Sequence, residues 1–131
     1  MFEKLELFSM AQAMAKHAAA RQSVIAQNVA NADTPGYRAR DIAAFAESYR
    51  SAGDGGMRAT RPGHVFAGKG PYAPPQATTA LRPEAAAPNG NNVSIEQEIF
   101  AAAEANSEHD RALAIYKSAM TILRTAASGR G

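Results

Sequence analysis

The stretch that decides the fold lies at residues 28–37 and reads Asn28-Val29-Ala30-Asn31-Ala32-Asp33-Thr34-Pro35-Gly36-Tyr37. Proline disfavours the α region for the residue before it, so the helical pattern that precedes this stretch is expected to end here. Pro35 followed by Gly36 suits a type II turn, in which the third position requires a positive φ. The stretch therefore predicts that a helix ends and that the chain then turns sharply.

The segment before the turn predicts one long helix over residues 5–32. Neither proline nor glycine interrupts it. Its larger side chains step by three and four residues along one face, as an amphipathic helix requires: Leu7, Met10, Met14, His17, Arg21, Val24 and Asn28. Alanines lie beside this face, and their small side chains allow another helix to approach closely. We expect His17 to be a packed or interfacial histidine rather than a metal ligand.

A second long helix is predicted over residues 94–127. The cluster of proline, glycine and asparagine at 88–92 breaks any helix before it. Ser94 and Gln97 then have the spacing of a capping box. Apolar and polar residues repeat every seven positions through the helix, which predicts a coiled-coil seam. We call the following residues the seam: Ile99, Asn106, Leu113, Tyr116, Met120 and Leu123.

The sequence thus predicts a mainly α fold in one domain, residues 1–131. The N- and C-terminal helices are expected to pair as a coiled-coil-like hairpin, and seam faces beyond that pair to meet neighbouring subunits. Residues 33–93 are predicted to be a turn and an irregular, Pro/Gly-rich region, with a short extended piece at 64–66. A chain whose order lies in its two ends is suited to pack against other chains. An assembly subunit is therefore favoured over an enzyme.

The composition points away from several other functions. The 14 basic and 12 acidic residues are interspersed and give a net charge of +2, so a nucleic-acid partner is not expected. Cysteine is absent, and no apolar run reaches the length of about 18–20 residues that a membrane span needs. One alternative stays open: a small basic helical adaptor or nucleic-acid-binding protein, suggested by Arg38, Arg40, Arg50, Arg58 and Arg61. Salt-dependent affinity for DNA would distinguish it.

No catalytic, cofactor-binding or metal-binding group is predicted. The three histidines are far apart in sequence, and none has the spacing to a carboxylate that a metal site needs. The acidic residues of the second helix are expected to form a solvated face: Glu96, Glu98, Glu104, Glu108 and Asp110. Nucleotide-binding glycine motifs and the GxSxG nucleophile motif do not occur.

Residues 27–38 resemble the N-terminal signature of flagellar axial proteins, which are the rod, hook and hook-associated subunits. The assembly motif that carries the resemblance consists of Asn28, Ala30, Asn31, Thr34, Pro35, Gly36 and Tyr37. The small total length, and the similarity of residues 91–98 to the start of that group's C-terminal helix, favour the flagellar basal-body rod family. Within it the chain is most similar to a proximal rod subunit. Another rod subunit, such as FlgC, is the alternative within the family.

The resemblance implies a mechanical role and a set of partners. The terminal helices would stack into the inner layer of a tube that transmits torque and houses the export channel. The resemblance also implies export of the unfolded chain through the flagellar type III apparatus, without a cleaved signal peptide, and assembly in the periplasmic rod of the basal body. The implied partners are the rod proteins FlgC, FlgF and FlgG, FliE with the MS-ring and export-gate junction, and further copies of the chain.

Overall fold

The computed structural model of the chain describes residues 2–54 and 79–129, with side chains placed for 7–49 and 79–129. In chain order its elements are helix α1 (Phe2–Ala30), strand β1 (Arg40–Ile42), helix α2 (Phe45–Asp54), strand β2 (Thr79–Leu81) and helix α3 (Ile95–Ser128). The predicted mainly α fold with a long helix at each end is confirmed.

Helices α1 and α3 form an antiparallel hairpin. Near one end the side-chain amide of Asn28 donates to Glu98, and towards the other end the rings of Phe8 and Tyr116 lie 5.2 Å apart. The small core between them centres on Ile25 and on alanines of α3. Because alanine extends so little from the backbone, the two helices can approach each other closely.

The side chains of α3 that are buried in the hairpin differ from the predicted seam by one position. They include Glu98, Ala105, Ala112 and Ala119, which repeat every seven residues and are at most 6% exposed. The predicted seven-residue period is therefore present, but alanines rather than the larger seam residues face α1. The physical reason is that a close helix pair accepts small side chains at its centre and displaces large ones to its flank.

The segment between the long helices contains more regular structure than the sequence predicted. Strands β1 and β2 pair antiparallel, with Arg40 opposite Leu81. Helix α2 follows β1 and lies beside α1, where His17 is 3% exposed and donates from Nε2 to the Ala43 carbonyl at 2.8 Å. The packed environment expected for His17 is thus confirmed. The extended piece predicted at residues 64–66 lies outside the described residues.

The turn and the cap predicted from the sequence are both observed. Gly36 has a φ of 73°, and the Tyr37 amide donates to the Thr34 carbonyl at 3.2 Å. Ser94 is the N-cap of α3, and its hydroxyl accepts a hydrogen bond from the Gln97 amide. The local signals in the sequence therefore set where α1 ends and where α3 begins.

Two glycines with positive φ give a testable contrast. A Cβ on Gly36 would meet no atom within 4 Å, whereas a Cβ on Gly90 would lie 3.1 Å from the Gly36 Cα. Gly36→Ala should lower the free energy of unfolding by about 1–2 kcal/mol, the cost of a left-handed conformation, and Gly36→Asn by less. Gly90→Ala should cost more, because backbone must also move. Urea unfolding measures the difference; equal losses for the two alanine variants would contradict this geometry.

Candidate assembly site

Asn28 is the centre of a polar cluster at the end of the hairpin where α1 ends. Its side chain is fully buried and makes four hydrogen bonds. The amide group donates to the Arg40 carbonyl at 2.7 Å and to Glu98 Oε2 at 3.2 Å. The amide oxygen accepts from the Arg40 N–H at 3.0 Å and from the Tyr37 hydroxyl at 3.3 Å. The side-chain amide of Asn28 thus bonds both the N–H and the carbonyl of Arg40 in β1, as the backbone of a neighbouring strand would.

Asn91 holds the turn that follows α1 from a distant part of the chain. Its Nδ2 lies 2.9 Å from the carbonyl oxygens of Asn31 and Ala32, and 2.8 Å from that of Thr34. These three carbonyls lie beyond the end of α1 at Ala30, and a carbonyl that is buried needs a hydrogen-bond partner. Asn91 provides that partner, and its side-chain oxygen also accepts the Val93 amide at 2.7 Å.

Asn92 extends the pairing of the two strands. Its side-chain oxygen accepts from the Ala39 amide at 2.6 Å, and its Nδ2 donates to the carbonyls of Arg82 and Glu84 at 3.4 and 3.3 Å. The Arg82 amide donates in turn to the Ala39 carbonyl at 2.8 Å. We call Asn28, Asn91 and Asn92 the asparagine cluster; it joins α1, both strands and the approach to α3.

Ion pairs continue from the asparagine cluster along α3. Glu98 is 0% exposed and accepts from Arg82 Nη1 at 2.7 Å. Arg82 Nη2 lies 3.6 Å from Asp41, whose other oxygen is 3.4 Å from Arg21 Nε. Arg21 ends the series at Glu104, 3.0 Å away. Opposite charges therefore alternate from α3 through Arg82, which follows β2, and Asp41 of β1 to α1 and back to α3.

The ion-pair series keeps Arg21 charged. Burial disfavours the charged form of Arg21, but the attraction of Asp41 and Glu104 outweighs it, so the pKa of Arg21 is raised above its ordinary value.

The solvated acidic face predicted for α3 needs correction at Glu98, which is fully buried. It faces inwards because Arg82 and Asn28 satisfy its oxygens, and these partners come from residues far away in sequence.

The residues of the assembly motif divide into an inner and an outer set. Asn28 and Tyr37 contact each other inside the cluster. Asn31 is half-buried and bonds locally, donating to the Gln27 carbonyl at 2.8 Å and accepting from the Thr34 hydroxyl at 3.2 Å. The remaining members are exposed at the surface: Ala30, Thr34, Pro35 and Gly36. Three of the seven motif residues are therefore at least half-buried within the subunit, and the other four are accessible from outside.

The seam residues lie along one flank of the hairpin. Asn106 accepts a hydrogen bond from Gln22, and the Tyr116 ring contacts Phe8 edge-on at an interplanar angle of 73°. Leu113 and Met120 are each 39% exposed, and Ile99 is 62% exposed. Leu123 is half-buried. The seam touches α1 at some points, but part of its apolar surface is uncovered in the single chain.

The partners that organise this site are not predicted from the sequence. Asn91 and Asn92 lie in the cluster that predicts a helix break, and no sequence pattern points to Arg82. Two consecutive asparagines just before the N-cap Ser94 are a signal, since asparagine bonds readily to nearby backbone. Nothing local marks Arg82, because its role depends on the pairing of β1 with β2.

Other kinds of site find little support in the described parts of the chain. Among residues 2–54 and 79–129 no group of three histidine, aspartate or glutamate side chains is placed to hold a metal ion. No helix in those ranges is both long enough and apolar enough to cross a membrane. Arg21 and Arg82 are paired with carboxylates. The polar residues of the site thus serve mainly to join elements of the fold.

Comparison with known proteins agrees with this picture of a helical subunit. The family model described as flagella basal body rod protein matches residues 11–38, which include the assembly motif. The chain is 36% identical over 109 residues to the flagellar basal body rod protein FlgB of Cereibacter sphaeroides, covering 83% of this chain and 84% of that protein. It is also 36% identical over 64 residues to FlgB of Agrobacterium fabrum, covering 48% of each.

The structure is a hairpin of the two terminal helices, which the asparagine cluster holds together at one end. This is the structure of an axial assembly subunit. The chain belongs to the flagellar basal body rod protein family. Among the members of that family it is similar to FlgB.

Proposed function

We propose that this chain is a structural subunit of the proximal flagellar rod, without catalytic activity. The observation that carries the proposal is the apolar surface that the seam leaves uncovered in the single chain. Ile99, Leu113 and Met120 together expose large apolar side chains along one flank of α3. Exposed apolar surface of this kind marks an interaction site. A rod subunit has neighbours that would cover it.

The two halves of the assembly motif suggest how the subunit contributes to the rod. Asn28 and Tyr37 fix the direction in which the chain leaves α1, through their contacts with β1 and α3. The asparagine cluster and the ion-pair series then hold the hairpin as one stiff unit. Stacked hairpins would form the wall of a tube that transmits torque and surrounds the export channel. The exposed Thr34–Gly36 turn is available for contacts with the next layer.

The partners follow from this role and belong to the same proposal. Association with other rod components would include FlgC, FlgF and FlgG, and further copies of the chain. At its base, a proximal subunit would meet FliE and the junction of the MS ring with the export gate. The site of action would be the periplasmic rod. The similarity to FlgB, rather than to another rod subunit, supports the proximal position.

The seam gives a direct test. Leu113→Asp places a charge at a position that is 39% exposed in the single chain and would be enclosed in the rod. The isolated variant should lose only about 1 kcal/mol of stability, because the carboxylate can reach water. In the rod the same carboxylate would be buried without a partner, and the free-energy cost of removing it from water would be several-fold larger. We expect bacteria carrying the variant to make normal amounts of the protein but to lack hooks, filaments and swimming.

Ser118→Asp is the matched control, since it adds the same charge on the opposite flank of α3, at an exposed position. Bacteria with this control should swim better than those with Leu113→Asp. Met120→Asp should behave as Leu113→Asp does. Normal swimming by both seam variants would mean that the seam is not an assembly face. A large loss of stability in the isolated Leu113→Asp chain would place its effect in folding instead.

A further inference from the structure

The turn at Asn89 and Gly90 combines a chemically labile dipeptide with a tightly bonded geometry. The Gly90 amide donates to the Ala87 carbonyl at 2.8 Å. Asn89 is exposed, yet its side-chain oxygen accepts from the Asn91 amide at 3.0 Å. Its main-chain carbonyl accepts from the Gly36 amide at 2.9 Å. This turn thus connects the asparagine cluster with the assembly motif.

The packing requires glycine after Asn89. Gly90 has a φ of 81°, in the region that residues with side chains rarely adopt. A Cβ at this position would also lie 3.1 Å from the Gly36 Cα, because the backbones of the two glycines are close together. The fold therefore places beside Asn89 the residue that least hinders attack by its own backbone nitrogen.

We propose that Asn89 is a deamidation site that folding protects. In this reaction the Gly90 nitrogen loses its proton and attacks the side-chain carbonyl carbon of Asn89. A new C–N bond closes a succinimide ring, and the side-chain amide leaves as ammonia. Water then opens the ring at either carbonyl, which yields aspartate or isoaspartate at position 89. Water is the only co-reactant, and no oxidation or reduction takes place.

The folded turn blocks the first step in two ways. The Gly90 N–H is held by the Ala87 carbonyl, so that hydrogen bond must break before the nitrogen can attack. The Asn89 side-chain oxygen is held by the Asn91 amide, which keeps its carbonyl carbon from turning towards Gly90. Neither restraint exists in the unfolded chain. Reaction in the folded protein therefore requires local opening of the turn.

The product would damage the structure beside it. Isoaspartate routes the main chain through the side-chain methylene and so lengthens the backbone between residues 89 and 90. The bond from Gly36 to the Asn89 carbonyl and the bonds of Asn91 to the turn after α1 then cannot both keep their present geometry. Deamidation at Asn89 is therefore a lesion that opens the asparagine cluster, and it arises while the chain is unfolded.

The test compares deamidation of the full-length chain at mildly alkaline pH in buffer and in denaturing urea. Peptide mass spectrometry follows the gain of one mass unit at each asparagine, and far-UV circular dichroism confirms that the helices persist in the buffer sample. We expect Asn89 to react first in urea, and to react at least about tenfold more slowly in buffer, equivalent to a local opening free energy of about 1.4 kcal/mol.

Two further variants sharpen the comparison. Asn89→Ser should abolish the early mass gain, which assigns the signal to this position. Gly36→Ala, which strains the turn whose amide bonds the Asn89 carbonyl, should speed the reaction in buffer and leave the rate in urea unchanged. Equal rates at Asn89 in helical and denatured samples would overturn the proposal. Faster reaction at another asparagine in urea would overturn it as well.

Discussion

Glu98→Ala is expected to destabilise the isolated chain by about 3–5 kcal/mol, the range found when one partner of a buried ion pair is removed. Glu98 is fully buried, and its Oε1 lies 2.7 Å from Arg82 Nη1. Without it, Arg82 keeps only the longer contact to Asp41, and the Asn28 amide loses one acceptor. The free energy of unfolding, measured in urea by circular dichroism, gives the result directly.

Two variants control for the position and for the charge. Glu96→Ala removes an exposed acid from the same first turn of α3, and it should change stability by about 0.5 kcal/mol or less. Glu98→Gln keeps an oxygen for Asn28 but lacks the charge, so an intermediate loss is expected. If Glu98→Ala and Glu96→Ala unfold at the same urea concentration, the buried pair does not hold the hairpin together.

Asn28→Leu should cost a comparable amount, although it exchanges a polar side chain for an apolar one of similar size. The leucine would leave the Arg40 amide and the Tyr37 hydroxyl without their present acceptor inside the protein. Each buried polar group left unsatisfied costs about 1–3 kcal/mol, so a total loss of about 3 kcal/mol or more is expected. Hydrogen exchange at the Arg40 amide should also become faster.

Asn28→Asp separates hydrogen bonding from shape. The carboxylate keeps the acceptor for Arg40 and Tyr37 but points a negative oxygen at Glu98 and at the Arg40 carbonyl. At neutral pH it should destabilise at least as much as leucine does. Asn106→Ala is the control, because Asn106 is an exposed asparagine that bonds only at the surface. If the Asn28→Asp variant were about as stable as Asn106→Ala, the side-chain amide of Asn28 would not be needed for the stability of the fold.

The parts of this fold that depend on neighbouring residues could be predicted from the sequence. Pro35 and Gly36 determine the end of α1 and the turn after it through their own backbone preferences. Ser94 and Gln97 mark the start of α3 in the same way, because a capping residue acts within one helical turn. These signals act within a few residues and do not depend on the conformation of the rest of the chain.

The parts that depend on distant partners could not be predicted. Glu98 has the sequence context of an exposed acid, and only the pairing of β1 with β2 brings Arg82 to it. Each of these strands has three residues, too few for an alternating pattern to be recognised. The face of α3 that packs against α1 also depends on a distant partner. The seven-residue pattern predicts large residues on that face, whereas the close approach of α1 selects the alanines one position earlier.

The long-range hydrogen bonds of the asparagine cluster also bear on when the chain can fold. They join residues 53 to 70 positions apart, from Ala39 with Asn92 to Asn28 with Glu98. Such contacts have high contact order, and closing their loops precedes any gain from them. A chain that becomes available amino end first therefore cannot form all of them until residue 98 is available as well. The turn after α1 then gains its last hydrogen bonds only late in folding.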